Sequence, residues 1–436
     1  MIKSLLLHFS FWRPFTFWVT VLLGVNVANA DPKTTSPPAK GPFIILSSDE
    51  VIKVYWQDIV QAVNHHPKLA AAKFQIDGAK QGVKAIGAIP NPSLEATLGQ
   101  GYARDGNASR FEWGLALNVP LGWISQRYYK VKSAEAEVDV TIAETKALRR
   151  DVLLELKTLF WNLLYDQSQV ASLEDLKKQT KELTQSVGLR VEKGETRPIE
   201  KTRVEIEFEK VSNELEIARS AMATRQKQLA LWFSLPKGKI ILAGGTLDDL
   251  PDLMALEETL SKTFTTHPKI LVSRARIRSL AAEVASEKMV RIPSITLSPF
   301  TSYELDRRSY GIGINLDFPL WNWNSGRIVQ AQAKLSAEQK LKEATELDLK
   351  STLIESFASC QSSVQTANRL KINVLPRSLE TAATIEKIYK LGEANLLEVI
   401  DARRTLVEAK RLFLGALVQA QISCSRLSVM IQEEIP

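Results

Sequence analysis

The segments EWGLALNVPLGW (residues 112–123) and SYGIGINLDFPLWNW (residues 309–323) decide how this chain folds. In both, apolar residues alternate with Gly, Asn, Ala, Ser or acidic residues until a proline ends the alternation. A period of two is typical of a strand with one apolar and one polar face. A second strand-like segment precedes each, so we predict two β-hairpins, at 92–120 and 294–319.

A long stretch almost without helix breakers follows each hairpin. Neither Pro nor Gly occurs between Trp123 and Val187, and only Pro376 lies between Gly326 and Gly392. These stretches are rich in strong helix formers, and an apolar seam with coiled-coil spacing runs through the first: Leu156, Leu159, Leu163, Val170 and Leu173. We predict long helices at 125–193 and 326–391, each about 100 Å long, and return helices at 197–235 and 395–432.

The two halves of the chain are copies of one module. Several landmarks recur about 200 residues apart in the same order: His66-Pro67-Lys68 and His267-Pro268-Lys269, Val119-Pro120-Leu121 and Phe318-Pro319-Leu320, Lys193-Gly194-Glu195 and Leu391-Gly392-Glu393. We therefore divide the chain into a first repeat at 49–235, a connector at 236–252 and a second repeat at 253–436. Each repeat opens with helices, ahead of its hairpin.

Residues 1–30 have the pattern of a secretory signal peptide. Lys3 and Arg13 supply positive charge, an apolar stretch spans 15–25, and Ala28-Asn29-Ala30 forms a cleavage site. The apolar stretch is too short to span a bilayer as a helix, although an uncleaved anchor is the alternative. Residues 31–48 would then be an N-terminal extension. The net charge of +7 is too mild to imply a nucleic-acid partner.

An exported chain without a later long apolar run can cross a membrane only as a closed β-barrel. Four strands cannot close one, because the smallest have about eight strands. The chain must therefore oligomerise, and a trimer with twelve strands suits an open conduit better than a dimer with eight. The strands would then face membrane lipid, with Trp123, Trp321 and Trp323 in an interfacial aromatic girdle. Soluble amphipathic hairpins and ordinary core tryptophans are the alternatives.

The chain resembles the TolC-type outer-membrane efflux family over nearly all of its length after the signal peptide. Four passages carry the resemblance: Asn64–Pro67, Val119–Gly122, Phe318–Arg327 and Tyr389–Arg403. The resemblance implies a mainly α-helical chain with a membrane β-barrel, in which a homotrimer forms a 12-stranded barrel above a periplasmic helical tunnel. It also implies two partners, a periplasmic adaptor (membrane fusion) protein and an inner-membrane RND-type pump.

The passage Asn324–Arg327 is most similar to the heavy-metal (cobalt–zinc–cadmium) branch of that family. Drug or solvent efflux and type I protein secretion remain open. An exported coiled-coil structural or adhesion protein without a pore is the rival from another class. We find no catalytic constellation and expect no enzyme activity, cofactor or metal site. His66 and His267 are interpreted as helix caps, and His65 is adjacent to one of them.

The resemblance also implies where function lies. The two turns between long and return helices would form the periplasmic entrance and dock the adaptor, with these tip residues: Lys193, Gly194, Glu195, Leu391, Gly392 and Glu393. The periplasmic gate would use Tyr389 and two acidic residues, Glu398 and Asp401, whose alternative is an ordinary solvated helix surface. An Arg that can follow the second tip in the family is Ala394 here, which puts any gate-closing ion pair at that position in doubt.

Two cysteines lie at equal distances along the chain on either side of Gly392. An antiparallel helical hairpin turning at that glycine brings Cys360 and Cys424 to a similar height, and both fall on apolar stripes. We expect two buried free thiols, because the centre of the turn is uncertain by a residue or two. A disulfide is the alternative in an oxidising periplasm.

Overall fold

The computed structural model describes residues 51–102, 109–233, 235, 239–250, 267–304 and 307–431. The predicted signal peptide (1–30), the extension (31–48) and the first part of the second repeat (253–266) lie outside the described residues. The elements in chain order are β1 (Val51–Val54), α1 (Trp56–Asn64), α2 (Pro67–Ile86), β2 (Ser93–Tyr102), β3 (Ser109–Pro120), α3 (Trp123–Glu192), α4 (Pro198–Trp232), β4 (Ile240–Ala243), α5 (Pro268–Met289), β5 (Ser294–Glu304), β6 (Arg307–Asp317), α6 (Ser325–Arg369), a π-helical turn (Leu370–Val374), α7 (Leu375–Lys390) and α8 (Leu396–Ile431).

The two predicted hairpins join into one antiparallel sheet with the strand order β2-β3-β5-β6. The central pair links the repeats, with Trp113 opposite Tyr303 and Pro120 opposite Thr296. Among the described strands, β2 and β6 have a partner on one side only. The sheet therefore ends in two edges whose backbone groups are available for pairing.

One face of this sheet is apolar across all four strands. Opposed pairs place Leu94 against Leu117 and Leu297 against Ile314, and several of these side chains are largely exposed in the single chain: Leu94, Leu98, Tyr310, Ile312 and Ile314. The opposite face is polar. Asn118 donates to Glu95 Oε2 over 3.1 Å and accepts from Ser298 Oγ over 2.6 Å, which links three strands. One face of the sheet is therefore suited to contact with lipid, and the other to contact with water.

Helix α3 is 70 residues long, which corresponds to about 105 Å at 1.5 Å per residue. Its predicted seam is the inner surface of the bundle, because Leu156 and Leu163 are fully buried and Val170 and Leu173 nearly so. Helix α8 is, within the described ranges, the one helix long and apolar enough to cross a membrane by composition. An 18-residue window in it has mean hydropathy 1.3 and is 56% buried. Since α8 packs on α3 and α6, it is a core helix of the bundle.

The connector takes part in a core that the sequence did not predict. Strand β1 pairs in parallel with β4, and Gln167 of α3 exchanges two hydrogen bonds with the backbone of Ala243. Lys157 lies in this region with its Nζ 4.2 Å from the ring centroid of Trp56. Burial lowers the pKa of Lys157 to about 8, and the aromatic face stabilises the charge that burial disfavours.

The predicted long helix of the second repeat is interrupted next to its one proline. Leu370–Val374 form a π-helical turn in which the N–H of Leu375 donates to the carbonyl of Leu370. Pro376 has no N–H to donate, and its ring clashes with a regular helix one turn earlier. The π-helical turn absorbs that clash without ending the helix. The first repeat has no such proline, and α3 is continuous.

Both long helices end in the same glycine turn. Gly194 (φ 73°) and Gly392 (φ 84°) adopt the left-handed conformation. The next residue closes the turn in each case, with Glu195 N donating to Arg190 O over 2.8 Å and Glu393 N to Ile388 O over 3.1 Å. These are Schellman bonds, for which a residue without a Cβ is preferred.

The two cysteines are joined in a disulfide, where we had expected free thiols. Cys360 of α6 and Cys424 of α8 have Cα atoms 4.7 Å apart. Both are buried in a cluster with Leu353 and Leu427. The hairpin turns at Gly392, so the two helices stay in register down to the cysteines. The expectation of free thiols was wrong because it assumed that the turn could be centred a residue or two away from Gly392, whereas the turn is centred at that glycine.

We predict that Gly392→Ala destabilises the second tip by about 1 kcal/mol, because alanine at positive φ pays a steric cost. Hydrogen–deuterium exchange at residues 388–395 would measure the effect as faster exchange. Gly188→Ala is the matched control: no atom lies within 4 Å of its added Cβ, and it sits inside α3, where alanine is favoured. Equal exchange in both variants would contradict the prediction.

We predict that the unfolded, non-reduced protein has no thiol that reacts with an alkylating agent. Reduction should expose two, which intact-mass spectrometry would count. The variant Cys360→Ser/Cys424→Ser should lose on the order of 2–4 kcal/mol of stability, because the cross-link restricts the unfolded chain. Two alkylatable thiols before reduction would show that the cysteines are not bonded.

Candidate functional site

The two tips belong to one packed unit. Leu183 and Val187 of α3, Val204 of α4, and Leu396, Val399 and Ile400 of α8 form a buried cluster, against which Ile385 and Tyr389 of α7 pack. The glycine turns lie beyond this cluster, where the predicted tip residues Lys193, Gly194, Glu195, Leu391, Gly392 and Glu393 are all exposed. Leu391 is 68% exposed. The tips thus present accessible apolar and charged groups on a rigid base.

Tyr389 connects the two helical hairpins. Its ring is half-buried at the end of α7, and the guanidinium of Arg190 on α3 lies 5.1 Å from the ring centroid. This cation–π contact joins the long helix of the first repeat to that of the second. The residue predicted for the gate from the resemblance therefore lies at a junction between the repeats, although its partner Arg190 was not predicted.

Arg403 is a second junction, and the sequence analysis missed it. Its Nη1 donates to the backbone carbonyl of Gln179 on α3 over 3.0 Å, and its Nη2 donates to Glu386 on α7 over 3.1 Å. Only 11% of its side chain is exposed. A signal was present in the sequence, because Arg403 follows Leu396, Val399 and Ile400 on the same apolar stripe of α8. A charge at a core position of a helix needs a partner.

Arg404 forms the third junction, with Glu207 of α4. Its Nε donates to Glu207 Oε1 over 2.8 Å, and its Nη2 contacts the other carboxylate oxygen. The side chain of Glu207 is 14% exposed and that of Arg404 is 52% exposed. This bidentate pair joins the two return helices. The hydrogen bonds to Glu207 raise the pKa of Arg404 further, so the guanidinium stays charged throughout the physiological range.

The two acidic residues predicted for the gate, Glu398 and Asp401, differ in their surroundings. Glu398 makes reciprocal bonds with Asn395: its carboxylate accepts from the backbone N–H of Asn395 over 3.3 Å, and its own N–H donates to Asn395 Oδ1 over 2.9 Å. This is a capping box for α8. Asp401 is exposed one turn further along. Both side chains are exposed, and the structure gives Glu398 a helix-capping role in addition.

The aromatic residues near the sheet lie at its helical end. Trp321 is 93% and Trp323 is 56% exposed, whereas Trp123 is half-buried and its Nε1 donates to Pro120 O over 2.9 Å. All three lie at the helical end of the strands, next to the exposed apolar face. An exposed tryptophan beside such a face is typical of the boundary between lipid and water.

The predicted histidine caps are present in both repeats. His66 Nδ1 accepts the N–H of Lys68 over 3.2 Å, and His267 Nδ1 accepts that of Lys269 over 3.3 Å. Burial lowers the pKa of His267 to about 4, which keeps its ring neutral as this acceptor role requires. In the part of the chain that the structure describes, no group of three or more His, Cys, Asp or Glu side chains could hold a metal ion.

Known proteins with similar sequence and fold agree with this geometry. The profile of the family described as outer membrane efflux protein matches residues 59–232 and 259–431, one match for each repeat. The cobalt-zinc-cadmium resistance protein CzcC of Cupriavidus metallidurans is 28% identical over 358 residues, which are 80% of this chain and 83% of CzcC.

Solved structures show the same fold. The outer membrane protein VceC of Vibrio cholerae superposes with a TM-score of 0.69 at 16% identity, covering 86% of this chain and 95% of VceC. The outer membrane channel MtrE of Neisseria gonorrhoeae, in its open state, gives a TM-score of 0.72 at 16% identity, covering 86% and 88%. With its duplicated hairpins and paired tips, the chain is a TolC-like outer-membrane channel protein with a periplasmic helical portion, and it belongs to the outer membrane efflux protein family.

Proposed function

We propose that this efflux protein is the passive outer-membrane duct of a tripartite system that exports heavy-metal cations. The observation that carries the substrate class is the 28% identity to the cobalt-zinc-cadmium resistance protein over most of both chains. The duct receives its substrate from an inner-membrane RND-type pump through a periplasmic adaptor. The absence of a metal-binding cluster among the described residues is compatible with this role, because a conduit must not hold its substrate tightly.

The sheet supports a homotrimer. Its apolar face needs lipid, and a strand edge in lipid needs a backbone partner because no water is available to it. The free edge of β6 can pair with the free edge of β2 in the next protomer, and three protomers then close a ring of twelve strands. Each protomer supplies two similar repeats, so the closed ring has nearly sixfold symmetry.

The surface next to the tips supports the proposal that an adaptor docks there through its own helices. A groove of about 750 Å³ runs between α4 and α8 over α3. Its floor includes Leu173, Leu176 and Val211, and charged side chains such as Lys210 and Glu214 line its rim. An apolar floor with a charged rim suits an amphipathic helix. The groove leads towards the exposed tips, so one helical hairpin could contact both.

The three junctions support a gate that opens at the second repeat. Arg190–Tyr389, Arg403–Gln179 and Arg404–Glu207 all tie the hairpin α7–α8 to the hairpin α3–α4. Moving the second hairpin away from the first must break all three. Asp401 lies within one turn of the two arginines, so in a trimer three such carboxylates would favour cations at the entrance.

We predict that deletion of the gene increases the sensitivity of the cell to cobalt, zinc or cadmium while leaving its sensitivity to a panel of hydrophobic drugs unchanged. Minimal inhibitory concentrations for metals and drugs, measured side by side, distinguish metal efflux from drug efflux. Sensitivity to drugs alone would replace the metal proposal with drug efflux. Loss of a secreted protein without any change in sensitivity would indicate type I secretion.

We predict that Arg404→Gln shifts the duct towards its open state. The pair with Glu207 is partly exposed and worth about 0.5–1 kcal/mol, so the open-to-closed ratio should rise by about two- to five-fold. Conductance in planar lipid bilayers would measure this. Arg411→Gln is the matched control, because Arg411 pairs with Glu408 on its own helix. The charge-swapped variant Arg404→Glu/Glu207→Arg should restore low conductance. Unchanged conductance in Arg404→Gln would contradict the proposal that this ion pair holds the duct closed.

A further inference from the structure

The four helix ends nearest the sheet all lie at one end of it. Helices α2 and α5 lead into the first residues of β2 and β5, and β3 and β6 lead out into α3 and α6. Because the strands are antiparallel in the order β2-β3-β5-β6, these four connections share the same edge of the apolar face. In an outer-membrane protein with a periplasmic helical portion, this edge is level with the periplasmic leaflet.

Positive charge is concentrated in these helix ends. Residues 80–92, 121–134, 280–293 and 318–337 contain nine basic side chains, all exposed, which we call the basic collar: Lys80, Lys84, Arg127, Lys130, Lys132, Lys288, Arg291, Arg327 and Lys334. The same ranges contain two acidic residues. Glu283 pairs with Lys334 at 3.3 Å, and Glu287 accepts from Asn324 over 2.6 Å. The collar therefore has a net charge of +7, as large as that of the whole chain.

In the next layer of the bundle, acidic residues of α3 face basic residues of α5. On α3, residues 135–144 contain four acidic residues and no basic one: Glu135, Glu137, Asp139 and Glu144. Two of these pair with α5, Asp139 with Arg278 and Glu144 with Arg276. Deeper in the bundle these basic residues are thus paired with acids, whereas the four helix ends beside the sheet contain seven more basic than acidic residues.

Aromatic and basic side chains alternate within the collar. The guanidinium of Arg127 lies 5.6 Å from the ring centroid of Trp123 and donates to Gly87 O over 2.8 Å. Ile124, Tyr128 and Lys132 lie four residues apart on one face of α3, and Lys132 Nζ is 5.5 Å from the Tyr128 ring centroid. Ile124 and Tyr128 are 57% and 63% exposed. Moving away from the sheet, this face passes from apolar through aromatic to cationic, which is the order of a lipid–water interface.

We infer that the basic collar binds the headgroups of anionic phospholipids in the periplasmic leaflet of the membrane. Charge complementarity selects this occupant, because phosphate and phosphoglycerol headgroups carry the negative charge that the collar lacks. The neighbouring apolar face binds the acyl chains of the same lipids. The inference rests on the membrane placement of the sheet and is independent of the exported substrate.

The test compares lipids retained by the purified full-length oligomer in native mass spectrometry, after incubation with equal amounts of phosphatidylglycerol and phosphatidylcholine. The collar variant carries glutamine at five positions: Lys80, Lys84, Lys130, Lys132 and Arg327. The matched control carries glutamine at five exposed lysines of the tunnel helices: Lys146, Lys178, Lys181, Lys227 and Lys371. An intact oligomer in the same spectrum shows that each variant has folded.

We expect the native protein and the control variant to retain phosphatidylglycerol preferentially, and the collar variant to lose roughly fivefold or more of that preference. Added salt should weaken the preference of the native protein. Equal preference in all three proteins would overturn the inference. Displacement of the lipid by millimolar inorganic phosphate at constant ionic strength would also overturn it in favour of a free-phosphate site.

A collar variant that keeps its lipid preference but no longer assembles with its adaptor would overturn the inference in favour of a protein partner. None of these outcomes depends on metal resistance, so failure here and failure of the proposed function are separable. A collar variant that loses lipid preference, while the cell keeps its metal phenotype, supports lipid binding as a property of its own.

Discussion

A strand edge in lipid must find a backbone partner, and the rest of this architecture depends on that constraint. The chain contributes four strands with an apolar face, and both outer strands end in open edges. In water such a sheet would aggregate, and in lipid its unpaired N–H and C=O groups would each cost several kcal/mol. Closure with further copies removes both costs. We therefore regard oligomerisation as a condition of the fold rather than an addition to it.

Duplication also shapes the helical part of the chain. Each repeat supplies one strand hairpin and one helical hairpin, and the two glycine turns are built from the same bonds at Gly194 and Gly392. Where the repeats differ, the differences affect how easily each helical hairpin can bend. The first long helix is continuous, whereas the second contains a π-helical turn beside Pro376 and a disulfide on the far side of that turn from the tip. This arrangement suits a stiff first hairpin and a second one that moves.

The contacts at the tips agree with this proposed difference between a stiff first hairpin and a mobile second one. Arg403 and Arg404 extend from the second return helix to α3 and α4 of the first repeat, so the hairpin that we propose to move also supplies the side chains that hold it in place. Glu398 contributes in another way, because its carboxylate caps α8 through Asn395. The resemblance had suggested a direct gating role for that residue. A carboxylate three positions into a helix is well placed for capping, and the local bond satisfies it.

The sequence by itself determined the elements whose signals are local. Alternation at residues 112–120 and 309–318 defines strands, breaker-free stretches define long helices, and Gly194 and Gly392 end them, because each signal acts through neighbouring residues. Only the tertiary structure decided what meets across the chain. The pairing of β1 with β4 could not be predicted, since four-residue strands have too little pattern and their partner lies almost 200 residues away. The tertiary structure also decided that the two cysteines are bonded, which the sequence had left open as the alternative. It likewise decided the π-helical turn and the partners of Arg190, Arg403 and Arg404, because these contacts depend on helix register and on packing between the repeats.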